Sequence, residues 1–130
     1  MKRIYIYIKV WCVDEALLLY SLRGHLGYIT DLSISPNNVL LASSDDKRMI
    51  RVWVLASGVP VAALQNHADV VNYVRFDPRD GLLYSCSDDG TVRVWNIDGA
   101  SPSGAGANSA GTLREDVPHY SLPHTNSQLR

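Results

Sequence analysis

Over residues 1–98, apolar and polar positions alternate with a period close to two. Tyr5-Ile6-Tyr7-Ile8-Lys9-Val10-Trp11, Val39-Leu40-Leu41-Ala42 and Thr91-Val92-Arg93-Val94-Trp95 are rich in β-branched and aromatic residues, the composition of half-buried strands. Turn-forming clusters separate the apolar runs: Ser35-Pro36-Asn37-Asn38, Ala56-Ser57-Gly58, Asp77-Pro78-Arg79-Asp80-Gly81 and Asp88-Asp89-Gly90. No segment sustains a helical period, and Glu15 to Leu22 is expected to be a turn followed by a strand. The pattern predicts nine strands: 4–11, 17–22, 28–35, 39–44, 50–55, 61–64, 70–77, 82–87 and 91–97. Residues 99–130 differ, since 16 of these 32 are Gly, Ala, Ser or Pro. Such a segment buries too little apolar surface to offset its ordering entropy, so a flexible tail is expected there.

The strands also repeat. Trp11, Trp53 and Trp95 are spaced 42 residues apart, as are His25 and His67. At the same offset Arg51-Val52-Trp53 lies over Arg93-Val94-Trp95, Leu40-Leu41 over Leu82-Leu83, Ser43 over Ser85 and Pro36 over Pro78.

This repeat, with Arg23-Gly24-His25 or Asn66-His67 near its start and Trp53 or Trp95 near its end, resembles the WD-repeat family. The resemblance implies an all-β architecture of β-propeller blades, each of four antiparallel strands. Residues 1–22 would then be a partial blade, 23–65 a full blade and 66–98 a blade lacking its last strand. Closed propellers have about four to eight blades, so this stretch of about two and a half is an open array. Its terminal sheets would expose apolar faces and unpaired edges. Either it is a piece of a longer propeller, or another chain completes it.

The wording around the motifs is similar to the WD-repeat region of bromodomain and WD-repeat-containing proteins. Ile8-Lys9-Val10-Trp11, Leu22-Arg23-Gly24-His25, Ile29-Thr30-Asp31-Leu32, Ile50-Arg51-Val52-Trp53 and Gly58-Val59-Pro60-Val61-Ala62 carry that likeness. It implies a nuclear, chromatin-associated scaffold of transcription regulation. The remaining residues hold no bromodomain, and neither Trp53 nor Trp95 is followed three residues later by the basic residue that ligase-adaptor binding in WD repeats uses.

Composition excludes other classes. Lys plus Arg is 12 and Asp plus Glu is 13, a net charge of -1, with no basic face for direct nucleic-acid contact or for a membrane surface. No run of about 18 apolar residues predicts a transmembrane helix, and no signal-peptide pattern follows Met1-Lys2-Arg3. Two cysteines, Cys12 and Cys86, make no disulfide framework and fit an intracellular, reducing compartment. No metal set or cofactor motif is expected: His119 and His124 have no partners at ligand spacing, and no phosphate-cradling glycine loop occurs.

His67, Ser85 and Asp89 match a hydrolase triad by residue type, as His25, Ser43 and Asp46 nearly do. No G-x-S-x-G elbow accompanies them. The family resemblance instead implies a buried structural tetrad in each blade: His25, Ser43, Asp46 and Trp53, then His67, Ser85, Asp89 and Trp95. No catalytic residue is therefore expected. In strict register Lys47 sits opposite Asp89, so Asp46 could serve only through a longer turn, and a looser network is expected in that blade. Partner contacts, to a protein or peptide, are expected on the loops ending each blade: Tyr28, Asp45, Lys47, Asp69 and Asp88.

Overall fold

The computed structural model describes residues 2–79 and 81–97. The tail expected over 99–130 lies outside the described residues. Among those described, the chain forms nine strands and no helix. They are β1 (Tyr7–Cys12), β2 (Leu17–Arg23), β3 (Ile29–Ile34), β4 (Leu40–Asp45), β5 (Ile50–Val54), β6 (Pro60–Leu64), β7 (Val71–Phe76), β8 (Leu83–Ser87) and β9 (Val92–Trp95). Each falls within a few residues of the strand its apolar alternation predicts; the largest difference is β1, which begins at Tyr7 rather than Ile4.

The strands build three antiparallel sheets in simple meander order: β1-β2, then β3-β4-β5-β6, then β7-β8-β9. The array is open. Tight turns set the registers. Between β3 and β4, the Ser35 hydroxyl accepts from Leu40 N at 2.9 Å, and Asn38 takes the left-handed conformation at φ 59°.

The core lies between sheets rather than within one. Ile8 and Leu22 of the first sheet pack against Leu41 and Trp53 of the second. A larger cluster joins Ala42, Ile50, Val52 and Leu64 to Val71, Val74, Phe76, Leu83 and Trp95 of the third. This follows from the period-two pattern: one face of the central sheet looks forward and the other backward, and both are apolar. Polar staples fix the spacing of the second and third sheets. The Thr30 hydroxyl donates to Val71 O, Asp31 accepts from Val74 N at 3.0 Å and from the Arg75 guanidinium, and the Ser33 hydroxyl accepts from Phe76 N at 3.0 Å.

Two glycines offer a comparison. Gly58 (φ 72°) and Gly81 (φ 71°) both take the left-handed conformation that a Cβ disfavours. A methyl group at Gly58 would stand 2.8 Å from Leu22 Cδ2, whereas nothing lies within 4 Å at Gly81. Gly81→Ala is therefore expected to cost about 1 kcal/mol from backbone strain alone. Gly58→Ala is expected to cost about 2–3 kcal/mol, because a buried side chain must also give way. Urea denaturation of the two variants checks the order; equal losses would show that the first sheet does not rest on this turn.

Candidate functional site

The β2–β3 and β6–β7 loops place one histidine each beneath a hairpin turn. His25 Nδ1 lies 2.6 Å from Asp45 Oδ2, and its Nε2 lies 2.5 Å from Ser43 Oγ. The Trp53 indole N–H donates to the same hydroxyl at 3.0 Å. In the third sheet His67 Nδ1 is 2.9 Å from Asp89 Oδ2 and Nε2 is 2.7 Å from Ser85 Oγ, which accepts from Trp95 at 2.9 Å. With Nδ1–H donating to the carboxylate, Nε2 accepts the serine proton and the serine accepts the indole proton. Each side-chain polar group of the two tetrads has a partner, as buried networks require.

The carboxylate partner of His25 is Asp45, not Asp46. The turns 45–49 and 87–91 are the same length, each closed by a backbone bond from its first residue to its last, Asp45 N to Met49 O and Ser87 N to Thr91 O. No insertion brings Asp46 inward; its Oδ1 instead accepts from Tyr28 N at 2.9 Å. Asp45 performs two tasks at once. Its Oδ2 meets His25, while its Oδ1 accepts from Lys47 N at 2.9 Å and Met49 N at 3.0 Å. In the third sheet those tasks are divided: the Ser87 hydroxyl accepts from Asp89 N, and Asp89 meets both His67 and Thr91. The first network is no looser than the second, contrary to what the register alone suggests.

Burial of both imidazoles, outweighing the pull of Asp45 and Asp89, holds their pKa values below the usual 6.5. Arg51 and Arg93 lower them further. Burial pushes the Asp89 carboxyl up, but the Thr91 hydroxyl, the Ala68 and Thr91 amides and His67 together hold it well below 3.8. All three groups bind protons more readily when unfolded. Their stabilisation is complete above about pH 6.5 and is lost as pH falls, first through the histidines and then, below about 4, through Asp89. The urea midpoint is accordingly expected to be level from pH 8 to 7 and to drop between pH 6.5 and 4.5. A level midpoint down to pH 4.5 would mean the histidines are protonated in the folded chain.

Neither serine is available for chemistry. Ser43 and Ser85 are 0 % exposed, so no substrate carbonyl can reach them. Among the described residues, no three His, Cys, Asp or Glu side chains group as a metal site would need.

The loops expected to contact partners lie at the same end of the sheets as the two histidines. Tyr28 is 63 % exposed; Lys47, Asp69 and Asp88 are exposed as well. Asp45 is the exception: it is fully buried and committed to His25, so it cannot serve as a contact residue. Beside these loops is a cleft of about 690 Å³, between the β4–β5 turn and residues 65–69. Lys47 and Asp69 line it together with Leu26, Arg48 and Arg51, which the loop prediction did not include. The Arg51 guanidinium lies over Gly24, where an added methyl would be 3.3 Å from its Cζ. Repetition of Arg51 as Arg93 was the signal that could have drawn attention to it.

Two stretches, residues 16–54 and 58–96, match the model for the WD domain, G-beta repeat. The chain belongs to the WD-repeat family. A bromodomain and WD repeat-containing protein of Dictyostelium discoideum is 46% identical over 44 residues, which is 34% of this chain and 2% of that protein. Among solved structures, U3-55K and the RRP9 WD40 repeats each superpose with a TM-score of 0.69 at 29% identity. Each match covers 73% of this chain, but only 31% and 30% of theirs. The chain thus spans under a third of these structures and a small fraction of the curated relative. WD repeats serve as protein-interaction scaffolds, and the tetrads described above hold their strands and loops in place.

Proposed function

We propose that this chain is a non-catalytic section of a WD-repeat scaffold that binds protein partners for a chromatin-associated regulator of transcription in the nucleus. The observation that carries the chromatin assignment is the 44-residue match to a bromodomain and WD repeat-containing protein. The burial of both serines and their engagement by tryptophan support a structural role for the tetrads over hydrolysis. Tyr28, Lys47, Asp69 and Asp88 are the contact residues proposed here.

Site-directed photo-crosslinking tests the reading. Benzoylphenylalanine at Tyr28 or Asp88 of the full chain, expressed in cells, is expected to capture chromatin proteins, while the same group at Lys9, away from these loops, does not. Equal capture at all three positions, or capture of chaperones alone, would overturn it.

A second reading has its own observation. Trp11 is 53 % exposed where its counterpart Trp53 is 2 % exposed, and Val92 and Val94 are only half-buried where Ile50 and Val52 are fully buried. The outward faces of the first and third sheets thus display what the central sheet buries. Another propeller section, or a second copy, would cover them, and sedimentation of the purified chain distinguishes a monomer from an assembly.

A further inference from the structure

The chain makes one kind of contact twice and carries its two halves once more, apart. Ile8, Ile50 and Val92 are equivalent positions of the repeat, as are Trp11, Trp53 and Trp95. At the first junction Ile8 and Leu22 gather with Trp53 and Leu41 of the next sheet. At the second, Ile50, Val52 and Leu64 gather with Trp95 and Leu83. Each sheet sends its β-branched residues forward and its tryptophan backward, as alternation along a strand dictates. Two halves are left over: the forward face of the third sheet and the tryptophan of the first.

The forward face of the third sheet is apolar. Cross-strand pairing sets Tyr84 beside Val94 and Cys86 beside Val92. The equivalent pairs in the second sheet are Ala42 with Val52 and Ser44 with Ile50. Those four are fully buried, and none of the third sheet's four is. Stacked repeats ordinarily end on a polar outer face; Tyr84, Cys86, Val92 and Val94 do not provide one. At the other end Trp11 stands opposite Leu18, and both are exposed, whereas Trp53 and Trp95 are buried. Trp53 and Trp95 also donate to a serine of their own sheet. The sheet of Trp11 consists of β1 and β2 among the described residues.

We propose that these halves meet between two copies of this chain, Trp11 and Leu18 of one seating on Val92 and Val94 of the other. The contact is head-to-tail and repeats the two junctions inside the chain. It rests on the reading that another sheet covers the outward faces, and it names a second copy as that cover. A second copy is favoured because Val92 and Val94 are spaced to receive a tryptophan as Ile50 and Val52 receive Trp95, and the chain itself presents one uncovered. The contact adds to stability only where the chain is concentrated enough to assemble, so a dilute urea titration reads the single chain.

Sedimentation equilibrium of the full chain over a range of concentrations tests this, and the average mass is expected to rise with concentration. Trp11→Ala and Val94→Lys each spoil one half, so each alone is expected to weaken association at least about tenfold. Their equimolar mixture is expected to associate again, because one variant keeps Val94 and the other keeps Trp11. Circular dichroism checks the fold of both, and Val92→Lys replaces Val94→Lys if the latter is unfolded. In the unsubstituted chain, alkylation of Cys86 is expected to slow as concentration rises, a readout that needs no variant. Single variants that associate as the unsubstituted chain does, a mixture that stays monomeric, or alkylation of Cys86 independent of concentration would overturn the proposal. So would a monomer at every concentration, which would leave another propeller section as the cover. Crosslinking at Tyr28 and Asp88 reads the scaffold function separately and does not depend on this contact.

Discussion

Trp53→Ala is expected to cost about 3–5 kcal/mol, while Trp11→Ala costs under about 1 kcal/mol, although the two residues hold the same position in the repeat. Trp53 is 2 % exposed, packs against Ile8, Leu22 and Leu41, and donates to the Ser43 hydroxyl at 3.0 Å. Removing it leaves a cavity between the first two sheets and takes a donor from a buried network. Trp11 is 53 % exposed on the outward face of the first sheet, so its removal vacates little. Urea midpoints of the purified chain measure the difference, and an unfolded Trp53→Ala chain in water is the same result at its limit. If Trp11→Ala were as costly, something must cover that face in solution, and the assembly reading would gain from the same experiment. Trp53→Phe separates the two terms: it retains most of the packing and loses the indole donor, so a loss of about 1–2 kcal/mol is expected.

The order and location of the strands were legible because each has a local cause. Alternating apolar residues make a sheet with two usable faces, and Gly, Pro, Asn and Ser punctuate it at the turns. The 42-residue spacing of His25 and His67, and of the three tryptophans, then shows which positions are equivalent. The staples between sheets were not legible. Thr30, Asp31 and Ser33 bond across to β7, yet their counterparts Asn72, Tyr73 and Arg75 share none of their chemistry. A contact made by one repeat on the next leaves no trace in a comparison of equivalent positions.

The cleft was half legible for a related reason. Lys47 and Asp69 stand out as charged turn residues. Arg51 lies within a strand that looks like core, and only the fold shows that its long side chain emerges at the rim over Gly24. Leu26 follows the buried His25 and is itself 87 % exposed; neither fact is visible in a hydropathy pattern.

The exchange of Asp45 for Asp46 shows why single positions mislead. Lys47 opposite Asp89 reads as a lost carboxylate. Asp45 opposite Ser87 is the compensating change, and the two must be taken as a pair. Asp45→Ser is expected to cost about 2–4 kcal/mol, because it leaves the buried His25 Nδ1–H without its acceptor. The new hydroxyl can still cap the turn, as Ser87 does at Asp89 N with a 3.1 Å bond. Asp46→Ser is expected to cost under about 1 kcal/mol, since Asp46 serves only the exposed Tyr28 amide. Adding Lys47→Asp to Asp45→Ser recreates the arrangement of the third sheet and is expected to recover about 1–2 kcal/mol, a coupling that a double-mutant cycle in urea reads directly. Lys47→Asp alone, with Asp45 in place, gives His25 a second carboxylate nearby, and like-charge repulsion should make it neutral or destabilising. The opposite signs of one substitution in two backgrounds would establish that the fold needs one carboxylate at His25 and accepts it from either position. Additive effects would mean that the two turns are not interchangeable, and that Asp45 holds something in the first network that Asp89 does not hold in the second.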